Sequence, residues 1–177
     1  IDTISAVPQN LSFQEVEGID MAMSWSTDSA FGVWVLKASA THTLTYDDQF
    51  TDQDPTRDVI DESSIPEWKA NFTANWFLDN WSATRFVTYL GEMNGIFKGD
   101  WEDAGVEVED DKVDDQWRVN LSGSYELNET WTFQIGVNNL TDEGPNEDPT
   151  DNGWPEYNRS YYDAIGREYY GRITMRF

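Results

Sequence analysis

His42 is the single histidine of the chain, and no cysteine accompanies it. A metal centre of imidazoles and thiolates needs several such ligands, and a nucleophilic triad needs an imidazole set between a hydroxyl and an acid. Neither pattern has further support, so no catalytic residue and no metal ligand set is assigned. Carboxylates are abundant: Glu107, Glu109, Asp110, Asp111, Asp114 and Asp115 form one cluster, and Asp142, Glu143, Glu147, Asp148 and Asp151 another. Oxygen ligands at that density could hold Ca²⁺, but the Asp-x-Asp-x-Asp-Gly spacing is missing, which favours a solvated acidic surface screened by salt. Seven Asn-x-Ser/Thr sequons, Asn71, Asn80 and Asn139 among them, arise from alternating polar residues and turns and are not read as glycosylation sites. Phe97, Trp101, Trp154 and Tyr157 stand among acids and glycines, where they could stack on a sugar ring or another bulky ligand, or simply pin their own segments. They are the ligand-binding candidates.

The elements that would position these residues are strands. Apolar residues recur with period two: Trp68, Ala70, Phe72, Ala74, Trp76 and Leu78 alternate with Lys69, Asn71, Thr73 and Asn75. The same alternation predicts strands over Phe13 to Trp25, Phe31 to Tyr46, Trp81 to Leu90, Gln116 to Leu127, Trp131 to Leu140 and Gly166 to Phe177. Seven strands and no helix are expected. Within 177 residues, 11 Lys and Arg oppose 34 Asp and Glu, a net charge of -23, which leaves no basic face for nucleic acid. Mean hydropathy is -0.66 and no apolar run approaches the ~20 residues of a spanning helix, while 15% aromatic residues, including nine Trp, exclude a disordered chain. Ile1 to Asn10 carry neither a positive region nor an apolar core, so no export signal is read there.

The connections alternate between two kinds. Thr27 to Ala30, Asp79 to Asn80 and Asn128 to Thr130 suit tight hairpins, whereas Asp47 to Ser64, Gly91 to Asp115 and Thr141 to Ser160 are long. The long loops hold 23 acids against Arg57, Lys98, Lys112 and Arg159, hence 19 of the 23 net negative charges. Long loops on one side, short turns on the other and nearly neutral strands are the pattern of a transmembrane β-barrel in contact with outer-membrane lipid. Trp and Tyr near strand ends fit the aromatic girdles of such a barrel. Arg85 breaks the pattern, because strict alternation points it at lipid unless a bulge or snorkelling intervenes.

The end of the chain carries the most specific likeness. Val137-Asn138-Asn139-Leu140-Thr141-Asp142-Glu143 resembles the stretch closing the penultimate strand of TonB-dependent outer-membrane receptors, although an aromatic usually stands where Thr141 does. Tyr161 to Arg167, followed by Tyr169-Tyr170-Gly171 and the terminal Phe177, is similar to their final strand. Ile65 to Asn71 and Val16 to Asp20 resemble two further positions.

The resemblance implies a bacterial outer-membrane barrel of 22 strands around an N-terminal plug, of which this chain would supply the seven C-terminal strands. Seven strands cannot close at that diameter, so the chain is expected to be a fragment with Ile1 in or near an outer loop. Its partners would be the rest of the receptor, TonB acting through the plug, lipid, and the outer-membrane assembly machinery. The last of these would read Tyr169, Gly171, Ile173, Met175 and Phe177 as a terminal assembly signal by strand addition. The implied activity is import of a scarce solute, a ferric siderophore or an oligosaccharide, with no enzymatic step and no cofactor beyond possible Ca²⁺; the acidity disfavours an anionic ligand. The alternative from a different class is a soluble, secreted, lectin-like all-β domain with acidic Ca²⁺ loops.

Overall fold

A computed structural model describes residues 13–51, 54–62, 65–107 and 111–177. Ile1, and Glu109 and Asp110 of the first acid cluster, lie outside the described residues. Seven long strands follow the alternation: β1 Phe13–Ser29, β2 Gly32–Gln49, β3 Trp68–Leu78, β4 Trp81–Leu90, β5 Gln116–Glu126, β6 Trp131–Asn138 and β7 Glu168–Met175. Each pairs antiparallel with its neighbour in sequence, which leaves β1 and β7 at the two edges of one sheet; the short strand Arg57–Asp58 adds to the loop end of β2.

Turn chemistry ends the strands where the sequence supplies it. At Gly32 the chain takes φ +105, and the Ser29 hydroxyl donates to the Gly32 carbonyl (2.9 Å), so β1 runs past the expected turn to Ser29. Asn128 Oδ1 accepts from the Thr130 and Trp131 amides (3.0 Å each), closing the β5–β6 hairpin. Two features depart from expectation. The last strand is shorter than predicted and excludes Gly166 and Phe177, and two short helices, Val59–Glu62 and Lys98–Asp103, form within the long loops. Helices of four and six residues are too brief to show a 3.6-residue period and depend on contacts with other loops.

The register brings every predicted apolar face onto one side of the sheet. Met23, Ala38, Phe72, Val87 and Val119 lie opposite one another across β1 to β5, and Leu121, Val137 and Tyr169 continue the row to β7. Ser39, Asn71, Thr88 and Arg118 align likewise on the reverse side. Among the described residues this apolar face packs against no other element: Ile135 is 73% exposed and Ile173 65%. Two aromatic rows bound it. Near the short turns Trp34 meets Trp76 (6.4 Å between ring centres) and Trp81 meets Tyr125 (4.5 Å). Near the long loops His42 stacks on Trp68 (4.1 Å, 10° between planes) and Tyr89 meets Trp117 (4.4 Å). In β2, β3, β4 and β5 alike, the two rows are eight residues apart.

The sequence allows a bulge at Arg85. At Arg85 the ladder is unbroken, with Ala74 and Leu121 directly opposite, so no bulge diverts its side chain from the apolar face. The bulge lies elsewhere: Gly18 pairs with Thr43 and Glu17 with Thr45, leaving Leu44 as the extra residue of β2. Beyond it the faces of β2 exchange, and Asp47 joins Glu15 and Glu17 on the outer side. The buried apolar cluster is not in the sheet. It sits at the loop end, where Met93, Val113 and Tyr162 pack together with Leu90, Tyr157 and Tyr161 around them.

Candidate functional site

The three long loops fold onto one another above the loop end of the sheet, and hydrogen bonds to buried groups hold them. Met93–Asn94 pairs with Lys112–Val113, closing the second loop at its base, and Gly95 N–H donates to Asp111 O (2.8 Å). The Asp148 carboxylate and Thr150, 3% and 1% exposed, then tie the third loop to the second. Asp148 Oδ2 accepts from the Ile96 amide (2.7 Å), and Oδ1 accepts from both the amide (2.9 Å) and the hydroxyl (2.7 Å) of Thr150. Thr150 Oγ1 accepts in turn from the Phe97 amide (3.1 Å), and the Thr150 carbonyl from Trp101 Nε1 (3.0 Å). A charge in so dry a place is tolerable because donors surround it. Gly95 is required by the same contact: a Cβ there would run into Thr150 and the Asp148 carboxylate.

The first loop joins less firmly. Asn94 Nδ2 donates to Ile60 O (3.1 Å), and Arg57 pairs with Asp103 (2.9 Å) across exposed surface, where such a pair contributes about 0–1 kcal/mol. Lys98 pairs with Asp111 (3.0 Å). Glu92 bonds the Lys112 ammonium and raises its pKa. Burial pushes the Tyr162 phenol up to about 12, with Asp114 and Asp148 adding to the shift, and the buried hydroxyl has no hydrogen-bond partner among the described residues. The phenol of neighbouring Tyr161 is raised for the same first reason.

The four candidate aromatics separate in this framework. Phe97 caps the helix Lys98–Asp103 and Trp101 follows one turn later, its amide donating to Phe97 O (3.0 Å). Together they line an open cleft of about 500 Å³ with Asp100, Asp151, Asn152 and Gly153. On its other side Phe97 also borders a second cleft of about 490 Å³, with Phe50, Asp48, Asp54, Arg57 and Asp100. Tyr157 packs against the Met93 cluster instead, and Trp154 projects from the third loop, 88% exposed, with Arg159 5.3 Å from its ring centre. Asp148 stood out in the sequence only as one acid of a cluster and Thr150 only through the Asx-type pattern Asp148-Pro149-Thr150, while Gly95 and Phe50 carried no signal. Among the described residues no group of three or more His, Cys, Asp or Glu is placed to hold a metal ion. Of the residues expected to form a terminal signal, Tyr169, Gly171, Ile173 and Met175 share the apolar face of edge strand β7, and Phe177 stands beyond its end.

The sequence of residues 1–140 matches the family described as TonB dependent receptor-like, beta-barrel. Two crystal structures of mutant forms of the ferric enterobactin receptor (PfeA) from Pseudomonas aeruginosa have a similar fold. One aligns with a TM-score of 0.59 and 20% identity over 92% of this chain, the other with 0.58 and 19% over 90%. In both cases the chain spans 22% of the receptor's length. No curated protein matches the chain. These matches lend nothing to a lectin-like domain. With the family pattern extending over most of the sequence, and with the sheet built as an unclosed run of barrel strands, the chain belongs to the TonB-dependent receptor β-barrel family.

Proposed function

We propose that this chain is the C-terminal barrel segment of an outer-membrane active transporter that imports a scarce solute, driven by TonB through a plug supplied by the rest of the receptor. Members of the family are transporters, not enzymes. The single observation that carries the reading is the coincidence of the apolar faces of all seven strands on one side of the sheet, bounded in β2 to β5 by two aromatic rows, while the other side is polar. Such a face is stable only against lipid, and the polar side then lines a lumen wide enough for a plug. Unpaired edges in lipid cost several kcal/mol per exposed backbone group, so β1 and β7 take partner strands from the remainder of the barrel. The outer edge of β7, with Tyr169, Gly171, Ile173, Met175 and Phe177, is the segment we assign to the assembly machinery.

The long loops then face outside, and the ligand is met there. The cleft of Phe97 and Trp101 offers flat apolar surface beside Asp100 and Asp151, which suits a neutral or cationic ligand with ring or chelate faces. A ferric siderophore, the ligand class named for the solved neighbours, is the first to test, and an oligosaccharide the second. The experiment is uptake by the full-length receptor carrying Trp101→Ala, in iron-limited and in sugar-limited growth. Uptake of one ligand class falls about 10-fold, the loss of one desolvated aromatic contact, while the barrel still migrates as folded. Deleting Gly95 to Asp111 likewise leaves membrane insertion intact, because no long strand is touched. Full uptake in both variants would remove this cleft from the ligand path.

A further inference from the structure

Between the two aromatic rows the apolar face carries one charge among the described residues, and it is Arg85. It lies midway: Trp81 is four residues below it and Tyr89 four above. At ~3.3 Å per residue and a strand tilt of ~40°, each row is about 10 Å away in depth. A cation held there without compensation costs ~2–4 kcal/mol, yet the guanidinium has no hydrogen bond or carboxylate partner among the described residues.

Along the β4–β5 ladder the surroundings open towards the short turns. Towards the long loops Arg85 meets Val87 and, across the ladder, Val119, both β-branched. Towards the short turns it meets Ala83 and Gly123, directly opposite one another. A Cβ at Gly123 would find nothing nearer than Ser82 O at 3.8 Å, so this strip is open space. It leads to the tilted pair Trp81 and Tyr125, whose Nε1 and hydroxyl make no hydrogen bond among the described residues. The long arginine stem can lie along the strip with its apolar carbons on Ala83, delivering the guanidinium close to the aromatic pair.

We propose that Arg85, Trp81 and Tyr125 form a binding site for the phosphate of a phospholipid in the leaflet on the short-turn side. The guanidinium fork matches a phosphate in a bidentate way, and Trp81 Nε1 and the Tyr125 hydroxyl supply two further donors at headgroup level. A carboxylate from a second membrane protein would have to be carried into the bilayer to reach the same place, whereas lipid phosphates already line that level in quantity. The proposal rests on the apolar face meeting lipid.

The test uses the full-length receptor released from detergent in native mass spectrometry, after incubation with phosphatidylglycerol or phosphatidylcholine. Wild type retains more phosphatidylglycerol than Arg85→Leu by about fivefold, the factor that corresponds to the ~1 kcal/mol of one arginine near anionic lipid. Arg85→Lys, which keeps the charge without the fork, and Tyr125→Phe, which removes one donor, each lose about twofold and cover the case in which the leucine variant does not fold. Phosphatidylcholine, whose choline offsets the charge of the same phosphate, is held more weakly by wild type and falls by less than phosphatidylglycerol in Arg85→Leu, and millimolar inorganic phosphate does not displace the bound lipid. Equal phosphatidylglycerol retention in all variants beside normal phosphatidylcholine retention overturns the site alone. Displacement by inorganic phosphate, or loss of a stoichiometric protein partner from Arg85→Leu without change in lipid, overturns it in favour of a free anion or a protein contact. Retention of neither lipid by wild type overturns the membrane placement with it.

Discussion

The ring of Tyr170 lies directly over Gly136, its cross-strand partner on the polar face of the β6–β7 hairpin. The glycine leaves room for the ring, and the ring covers backbone that the glycine would expose to water. Gly136→Ala pushes the tip of the partly exposed Tyr170 ring aside and costs about 1 kcal/mol. Tyr170→Ala costs less, and the double variant less than the sum, because the clash is then gone. Urea unfolding of the full-length barrel, followed by heat-modifiable migration, measures all three. Additive losses would separate the two residues.

The buried Asp148 carboxylate should govern the order of the second loop. Asp148→Asn keeps the shape but leaves one of the three donors at Ile96 and Thr150 facing an amide nitrogen, a loss of about 1–3 kcal/mol confined to the loops. Hydrogen exchange at Ile96 to Trp101 should quicken by 10-fold or more while strand amides are unchanged. Gly95→Ala should reproduce this by steric means. Unaltered exchange in both would show that the loops are held elsewhere.

Alkali should loosen the same region. With the Tyr162 phenol at about 12 in the folded loops and ~10 when unfolded, its contribution is fully present below pH 10 and lost as pH rises towards 12. Tyr161, also raised, adds to the slope. Tyr162→Phe should flatten loop stability between pH 10 and 12, read as hydrogen-exchange opening free energy corrected for intrinsic rate. An identical slope in wild type and variant would rule Tyr162 out as its source.

Spin labels at neighbouring positions of β3 should report opposite environments. A label at Phe72 is expected to collide with oxygen dissolved in lipid, and labels at Asn71 and Asn75 with a water-soluble nickel complex. The reverse assignment would mean that the strand register is wrong.

The bounds of β3 and β4 were readable from the sequence because unbroken alternation meets a clear turn pair, Asp79-Asn80, with Asp79 taking φ 50. The bulge at Leu44 was not, since an extra residue between Thr43 and Thr45 leaves the written pattern of polar and apolar letters intact while exchanging the faces. The helix Lys98–Asp103 was missed for want of length, and its position depends on Trp101 reaching Thr150, 49 residues away in sequence. Asp148 was visible only as one acid in a cluster. Its burial is decided by the approach of Gly95 and Ile96 from another loop, which no local spacing encodes.

The eight-residue interval between the aromatic rows sets a hydrophobic thickness. Eight residues at ~3.3 Å make about 26 Å along a strand, and a tilt of ~40° reduces this to about 20 Å along the bilayer normal. A phospholipid bilayer with ~30 Å of hydrocarbon must thin around such a belt, at a cost of fractions of a kcal/mol for every ångström of mismatch. Short-chain lipids remove that cost. On the proposed membrane placement the barrel is matched to a thin bilayer, and it should insert fastest into bilayers whose acyl chains are too short for an ordinary spanning helix.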